Sequence, residues 1–258
     1  MLTEPTLEKM RQMKLNGMLK AIEEQVKSQN YSGLSFESRL AHLIEQESLD
    51  RENRKLELRL KNAKLKHNAC IENLNFKSGR KLEKSTVLSL AQSTWIRDHR
   101  NILITGLTGV GKSFLACALA HSACLKGFTS LYYRVPKLLT NLAVARGDGR
   151  YQRVMESLSK IDLLILDDWG LSKLNEVERK DFLEIIEERH EMKSTIVTSQ
   201  VPVKHWHELI GDSTIADALL DRLVHGSYRI ELEGESLRKQ KNEDNQDKKT
   251  VISRRLTY

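Results

Sequence analysis

From Thr6 to about Ala69, apolar residues return at roughly every third or fourth position. Leu7, Met10, Leu15, Met18, Leu19, Ile22 and Val26 form one stretch, and Phe36, Leu40, Leu43 and Ile44 a second. That spacing lines one face of an α-helix, and Tyr31, Ser32 and Gly33 interrupt it. The pattern predicts a small helical domain over residues 1–69. Its last part differs in charge. Arg51, Arg54, Lys55, Arg59, Lys61, Lys64 and Lys66 outnumber Glu52 and Glu57, while Leu56, Leu60 and Leu65 keep a narrow apolar stripe. Residues 51–66 therefore read as a basic amphipathic helix. It is suited either to lie across nucleic-acid phosphates or to cover the next domain as a solvated helix.

Residues 70–83 have little periodicity and read as a linker. Over 84–238 the pattern switches between helix and strand. Helices are predicted at Lys84–Arg97, Ser113–Leu125, Pro136–Ala145, Arg150–Leu158, Glu176–His190, Trp206–Leu209 and Ile215–Leu223. Short apolar strands are predicted at Asn101–Thr105, Ser130–Arg134, Ile161–Leu166, Ser194–Ser199 and Tyr228–Leu232. Apolar strands alternating with helices predict an α/β fold, a mostly parallel five-stranded sheet between helices. The tail, residues 239–258, opens on a polar and highly charged run to Lys249, which predicts loose order there.

Composition narrows the class. Aromatic residues make up only 5% of the 258, which argues against a carbohydrate-binding module. The three cysteines, Cys70, Cys117 and Cys124, form no CxxC pair and no zinc spacing, so they read as reduced structural thiols of a cytoplasmic protein. The N-terminus has scattered charges and no apolar core, unlike a signal peptide. No apolar run reaches the ~18 residues of a membrane span. A net charge of +7 is compatible with a polyanionic partner, nucleic acid first. Trp95, Trp169 and Trp206 read as packing residues. His205 and His207 are two apart and diverge on a helix, so they are not a metal pair.

The chemistry is concentrated in two strings. GLTGVGKS, from Gly106 to Ser113, matches the P-loop pattern G-x-x-x-x-G-K-[ST]. It follows a predicted buried strand and opens a predicted helix, the context in which such a loop wraps phosphates. The glycines Gly106, Gly109 and Gly111 let successive N–H groups turn inward. Thr108, Val110 and the following Phe114 are expected to share the nucleotide contacts. Lys112 is expected at the β- and γ-phosphates of ATP, and Ser113 at Mg²⁺.

The second string, LLILDDWG from Leu163 to Gly170, is a buried strand ending in two carboxylates. Asp167 is expected to hold Mg²⁺ through water, and Asp168 to polarise the attacking water. Such a pair suits hydrolysis better than transfer to a small acceptor. The strand carrying TIVTSQ, Thr195 to Gln200, should end between the two strings, placing Gln200, or else Ser199 or Thr198, to orient water or sense the γ-phosphate.

With these motifs the chain resembles the AAA+ superfamily, in the branch of the replication initiator and the helicase loader. More closely it resembles the IstB-like transposition helper ATPases of bacterial insertion sequences. The resemblance is carried by MKLNGMLKAI, SFESRLAHLIEQE, ENRKLELRLKNAKLK, IENLNF, NILITGLTGVGKSFLACALA, KIDLLILDDWG, STIVTSQ, ADALLDRLVHGS and GESLRK. It implies an arginine finger at Arg222, acting on the ATP of a neighbouring subunit. It also implies a second sensor at Arg238, acting in its own subunit. The site would then be complete only in a homo-oligomer, a ring or a helical assembly on double-stranded DNA. Such an assembly would recruit a cognate transposase. Candidate DNA contacts are Arg51, Arg54, Lys55, Arg59, Lys61, Lys64 and Arg134, with Tyr133 and Lys137 as further candidates. The rival reading is a replicative helicase loader of the DnaC type.

Overall fold

Gly17 and Glu47 explain how the first helices pack. A computed structural model describes residues 4–31, 33–76 and 81–237. It divides into two compact units, residues 1–61 and 62–258. In the first unit, α1 (Glu4–Gln12) and α2 (Asn16–Lys27) precede a 28-residue helix, α3 (Phe36–Ala63). A Cβ on Gly17 would stand 2.4 Å from the Gln46 carbonyl oxygen, so only glycine lets α2 approach α3 this closely. The first turn of α2 has no capping side chain of its own. The buried Glu47 carboxylate of α3 supplies one instead, accepting hydrogen bonds from the backbone N–H groups of Gly17 (2.8 Å) and Met18 (3.2 Å). Orphan N–H groups at a helix start are commonly satisfied by the side chain of the residue that precedes the helix; here the acceptor comes from another helix.

The helical reading of this region needs three corrections. Lys14, with φ 58°, separates α1 from α2. Residues 36–63 form one continuous helix rather than two elements meeting near Arg51. The basic stretch is not helical to Lys66, because Lys64 takes the left-handed conformation (φ 50°) and ends the helix.

The second unit is built on one sheet. Its strands are β1 (Ile102–Gly106), β2 (Ser130–Arg134), β3 (Leu163–Trp169), β4 (Ser194–Ser199) and β5 (Tyr228–Leu232). They are all parallel, in the order β2-β3-β4-β1-β5. The central strands are buried along nearly their whole length, as a sheet covered on both faces requires. On one face α6 (Lys112–Leu125) packs with α4 (Lys84–Ala91) and the Trp95 side chain of α5 (Thr94–Arg97). On the other face lie α7 (Val135–Gly147), α8 (Tyr151–Lys160), α9 (Glu176–Arg189), α10 (Trp206–Ile210) and α11 (Ser213–Val224). The single helix expected over Lys84–Arg97 is two, broken where Ser93 turns left-handed (φ 61°).

All three tryptophans are buried. The Trp169 ring stacks on Phe182 with centroids 4.3 Å apart. The indole N–H groups of Trp95 and Trp206 each donate to a backbone carbonyl at 2.8 Å. Arg189 is also buried. Its guanidinium donates to the Leu158, Ile161 and Ser194 carbonyls and to Thr195, joining α9 to the sheet. No described helix is long and apolar enough to cross a membrane.

In an open parallel sheet, ligands bind beyond the carboxyl ends of the strands. Here those ends carry the P-loop after β1, the acidic pair on β3 and Thr198 to Gln200 at the end of β4. Because β4 lies between β3 and β1, its end falls between the other two.

Candidate nucleotide site

The P-loop leaves β1 at Gly106 and enters α6 at Lys112. Gly106, Gly109 and Gly111 all have positive φ (146°, 87° and 101°). Gly106 is held by space as well, since a Cβ there would meet the Leu232 carbonyl oxygen of the adjacent β5 at 2.2 Å. Gly109 lies against the segment that follows β5, where its carbonyl accepts from the Leu237 N–H at 3.1 Å. Lys112 folds back over the loop and donates to the carbonyls of Gly106 (2.7 Å) and Leu107 (2.8 Å). Gly111 gives α6 no side-chain cap, so the first N–H groups of the helix remain suited to an anion. Val110, within the loop, is fully buried.

The acidic pair divides its work by burial. Asp167 is fully buried. One of its oxygens accepts from Ser113 Oγ (2.7 Å) and Thr198 Oγ1 (2.5 Å); the other accepts from the Tyr132 hydroxyl and from Lys66 Nζ (3.3 Å), with Ser113 Oγ also within reach at 2.9 Å. Burial alone would raise this carboxyl. The hydrogen bonds from Thr198, Tyr132 and Ser113, together with the Lys66 charge, outweigh it and hold Asp167 below the ordinary carboxylate range. Burial and the neighbouring carboxylate push the Tyr132 hydroxyl strongly upward, so it stays a donor.

Asp168 lies at an irregularity where the β3–β4 register shifts between Leu166 and Trp169. It has φ 64°, an unusual conformation for a non-glycine residue. Its backbone N–H is anchored on Thr198 Oγ1 at 3.2 Å, and its carboxylate accepts from Arg134 Nε at 2.7 Å. The bulge thus turns two consecutive carboxylates to different tasks, one buried beside Ser113 and one facing the cleft.

Of these groups Lys66, Lys112, Ser113, Arg134 and Asp168 line a cleft of about 770 Å³ together with Thr108, Gln200, Phe114, His67, Leu74 and Leu237, within the range usual for small-molecule sites; the buried Asp167 meets it through Ser113. Among the described residues no cluster of three or more His, Cys, Asp or Glu could hold a metal by itself. Mg²⁺ does not need one, since it commonly keeps several waters and takes one or two protein oxygens plus phosphate. The hydroxyl of Ser113 and the carboxylate of Asp167 are hard oxygen donors already in contact, so the residues fit that ion.

The remaining expected residues fall in different places. Gln200 lines the cleft and accepts from Thr108 Oγ1 at 2.7 Å. Ser199 is buried and donates to the Trp169 carbonyl (2.8 Å), whereas Thr198 bridges the two acids. Arg222, near the end of α11, pairs with Glu187 of α9 at 2.8 Å and does not line its own chain's cleft. Arg238 lies outside the described residues, as does the tail beyond it. Of the basic residues considered for DNA, Arg51 pairs with Glu47 (2.6 Å) and Arg54 with Asp50 (2.8 Å). Lys55, Lys61 and Lys64 are exposed and Arg59 is half-buried. Arg134 lines the cleft.

Sequence reasoning missed Lys66, Tyr132 and the bridging role of Thr198. The only available signal was Arg134 at the end of β2, which is in register with Asp167 once β2 and β3 pair.

Comparison with known proteins bears on the same site. The profile of the family described as IstB-like ATP binding protein matches residues 8–245. The chain is 51% identical over 239 residues to the putative insertion sequence ATP-binding protein y4pL of Sinorhizobium fredii, covering 93% of this chain and 98% of that protein. It is 46% identical over 203 residues to the insertion sequence IS1162 putative ATP-binding protein of Pseudomonas fluorescens, covering 78% and 88%. Among solved structures, the fold resembles DnaI (TM-score 0.56, 21% identity, 64% of this chain and 91% of that one). It also resembles the DnaC helicase loader (TM-score 0.55, 19% identity, 64% and 97%).

Proposed function

This chain belongs to the IstB-like ATP-binding protein family, and we propose that it is a Mg²⁺-dependent ATPase that assembles on double-stranded DNA and assists a partner transposase. The carrying observation is the convergence, in one cleft, of the P-loop Lys112 and Ser113 with Asp168 and Gln200, together with the contact between Ser113 and the buried Asp167. The relatives' names supply the biological setting, insertion-sequence transposition.

In this reading the loop glycines and the start of α6 hold the phosphates of ATP. Lys112 exchanges its carbonyl partners for the β- and γ-phosphate oxygens. Ser113 and Asp167 hold Mg²⁺, which neutralises phosphate charge when bound. Asp168 orients and polarises the attacking water, and its strained backbone and the Thr198 anchor keep it aimed at the cleft. Gln200 reports whether the γ-phosphate is present. Arg238 contacts phosphate within its own subunit.

Arg222 acts in trans. Its place outside the lining of its own cleft supports that role, because such an arginine suits transition-state charge on a nucleotide held by a neighbour. ATP bridging two subunits would favour a ring or helical homo-oligomer, and hydrolysis would loosen it. The exposed lysines of α3 and the following turn, Lys55, Lys61 and Lys64, with Arg51, Arg54 and Arg59, are the candidates for holding DNA phosphates without reading bases. The assembly would select or remodel target DNA in the cytoplasm and recruit the transposase.

The test is the mass of complexes formed on a long duplex by Asp168→Asn protein with ATP, compared with ADP. A large ordered complex seen only with ATP supports the proposal. A protein that stays small in both nucleotides, but binds single strands and a replicative helicase, would instead be a loader of the DnaC type.

A further inference from the structure

A carboxylate offers about four lone-pair positions, and those of Asp167 are taken. Thr198 donates to one oxygen, Tyr132 and Lys66 to the other, and the Ser113 hydroxyl lies within reach of both. Mg²⁺ approaching Asp167, directly or through one of its waters, needs one of these positions. Thr198 and Tyr132 are buried on the strands β4 and β2. Ser113 brings an oxygen that itself suits the ion.

Lys66 differs on every count. It lies in the irregular segment after α3, its side chain is 30% exposed, and it lines the cleft. Its ammonium also carries the charge that repels an incoming cation. Its backbone, by contrast, is tied to α6, since the N–H groups of Lys66 and His67 face the Cys117 sulfur. Only the side chain has freedom to leave.

We propose that Lys66 is a resident cation that competes with Mg²⁺ for the Asp167 carboxylate, so that metal binding expels its ammonium from the site. The proposal rests on the Mg²⁺–ATP reading above and deepens it. Lys66 becomes the residue that sets how much Mg²⁺ the site requires, and its side-chain position reports whether the metal is bound.

The full chain is titrated with Mg²⁺ at a fixed concentration of a fluorescent ATP analogue, as wild type, Lys66→Met and Lys66→Arg. Lys66→Met keeps the apolar stem and removes the charge. Its half-saturating Mg²⁺ falls roughly three- to tenfold, while Lys66→Arg stays close to wild type. A requirement in Lys66→Met that is unchanged or higher overturns the proposal. If the analogue fails to bind wild type at any Mg²⁺ concentration, the nucleotide reading falls and the proposal with it.

A second measurement needs no variant. In the wild type, the rate of acylation at Lys66 is read by peptide mass spectrometry with the analogue plus Mg²⁺ and with the analogue plus chelator. Mg²⁺ is expected to raise that rate several-fold by releasing the amine. An equal or slower rate with Mg²⁺ overturns the proposal.

Discussion

The guanidinium Nε of Arg134, at the end of β2, donates to the Asp168 carboxylate at 2.7 Å, across 34 residues of sequence. Asp168 is thereby held at its carboxylate by Arg134 and at its backbone N–H by Thr198. The pair raises Arg134 above its ordinary range, chiefly through that hydrogen bond. That hydrogen bond occupies a carboxylate position that the attacking water would otherwise use. Arg134→Ala is therefore expected to raise basal ATP turnover about two- to fivefold, from the ~1 kcal/mol typical of a half-exposed ion pair. Steady-state phosphate release without DNA checks this; a fall in turnover would mean that Arg134 serves the reaction itself.

The two acids should separate binding from chemistry. Asp168→Asn keeps the cleft's shape and is expected to bind ATP as wild type does while turning it over about 10²–10⁴-fold more slowly. Asp167→Asn places an amide among three hydroxyls and an ammonium, where its NH₂ meets donors. It should lose stability as well as Mg²⁺-dependent binding. Calorimetric ATP titration beside a thermal melt distinguishes them, and equal melting points for the two variants would contradict the burial argument.

Arg222 offers a test of shared sites. Arg222→Ala should bind ATP normally and lose about 10³-fold or more in hydrolysis. Lys112→Ala should lose binding at its own site but retain its arginine. Mixing the two inactive proteins is then expected to restore part of the turnover, since a Lys112→Ala subunit supplies Arg222 to its neighbour's ATP. No recovery at any ratio would place the arginine's role within its own chain.

The first unit yields a pH prediction. Burial raises the Glu47 carboxyl, but the Arg51 hydrogen bond and the N–H groups of Met18 and Gly17 more than offset this and leave it below its ordinary value. A depressed folded value stabilises the native state fully above the unfolded value of about 4.3. That contribution is lost as the pH falls through the lower folded value. Glu47→Gln should flatten this acid limb. Glu47→Ala should cost about 1–2 kcal/mol at neutral pH by stripping the start of α2 of its acceptor. Urea melts of the full chain between about pH 3 and pH 7, a range that brackets the ordinary carboxylate value, would show both effects.

Much of the candidate site was legible because its chemistry is local. Gly106 to Ser113 is a contiguous string whose turn, helix start and lysine reach follow from neighbouring residues. Asp167 and Asp168 close an apolar run whose burial is evident from composition alone. The alternation of apolar strands and helices likewise predicted a parallel sheet. Helix boundaries were less legible where a single residue turns left-handed, as at Lys64 and Ser93, because neither is a glycine that would mark the break.

The sequence by itself determined the α/β class, the P-loop, the acidic pair and the family resemblance, all of which depend on residues near one another in the chain. Only the tertiary structure decided what surrounds those carboxylates. Lys66 reaches Asp167 across 101 residues, and Glu47 caps Gly17 across 30. Arg134 meets Asp168 only because β2 pairs with β3 in the register that sets Arg134 opposite Asp167. Strand order and register are settled by the packing of the whole sheet, so no local pattern encodes which distant cation a buried carboxylate will find.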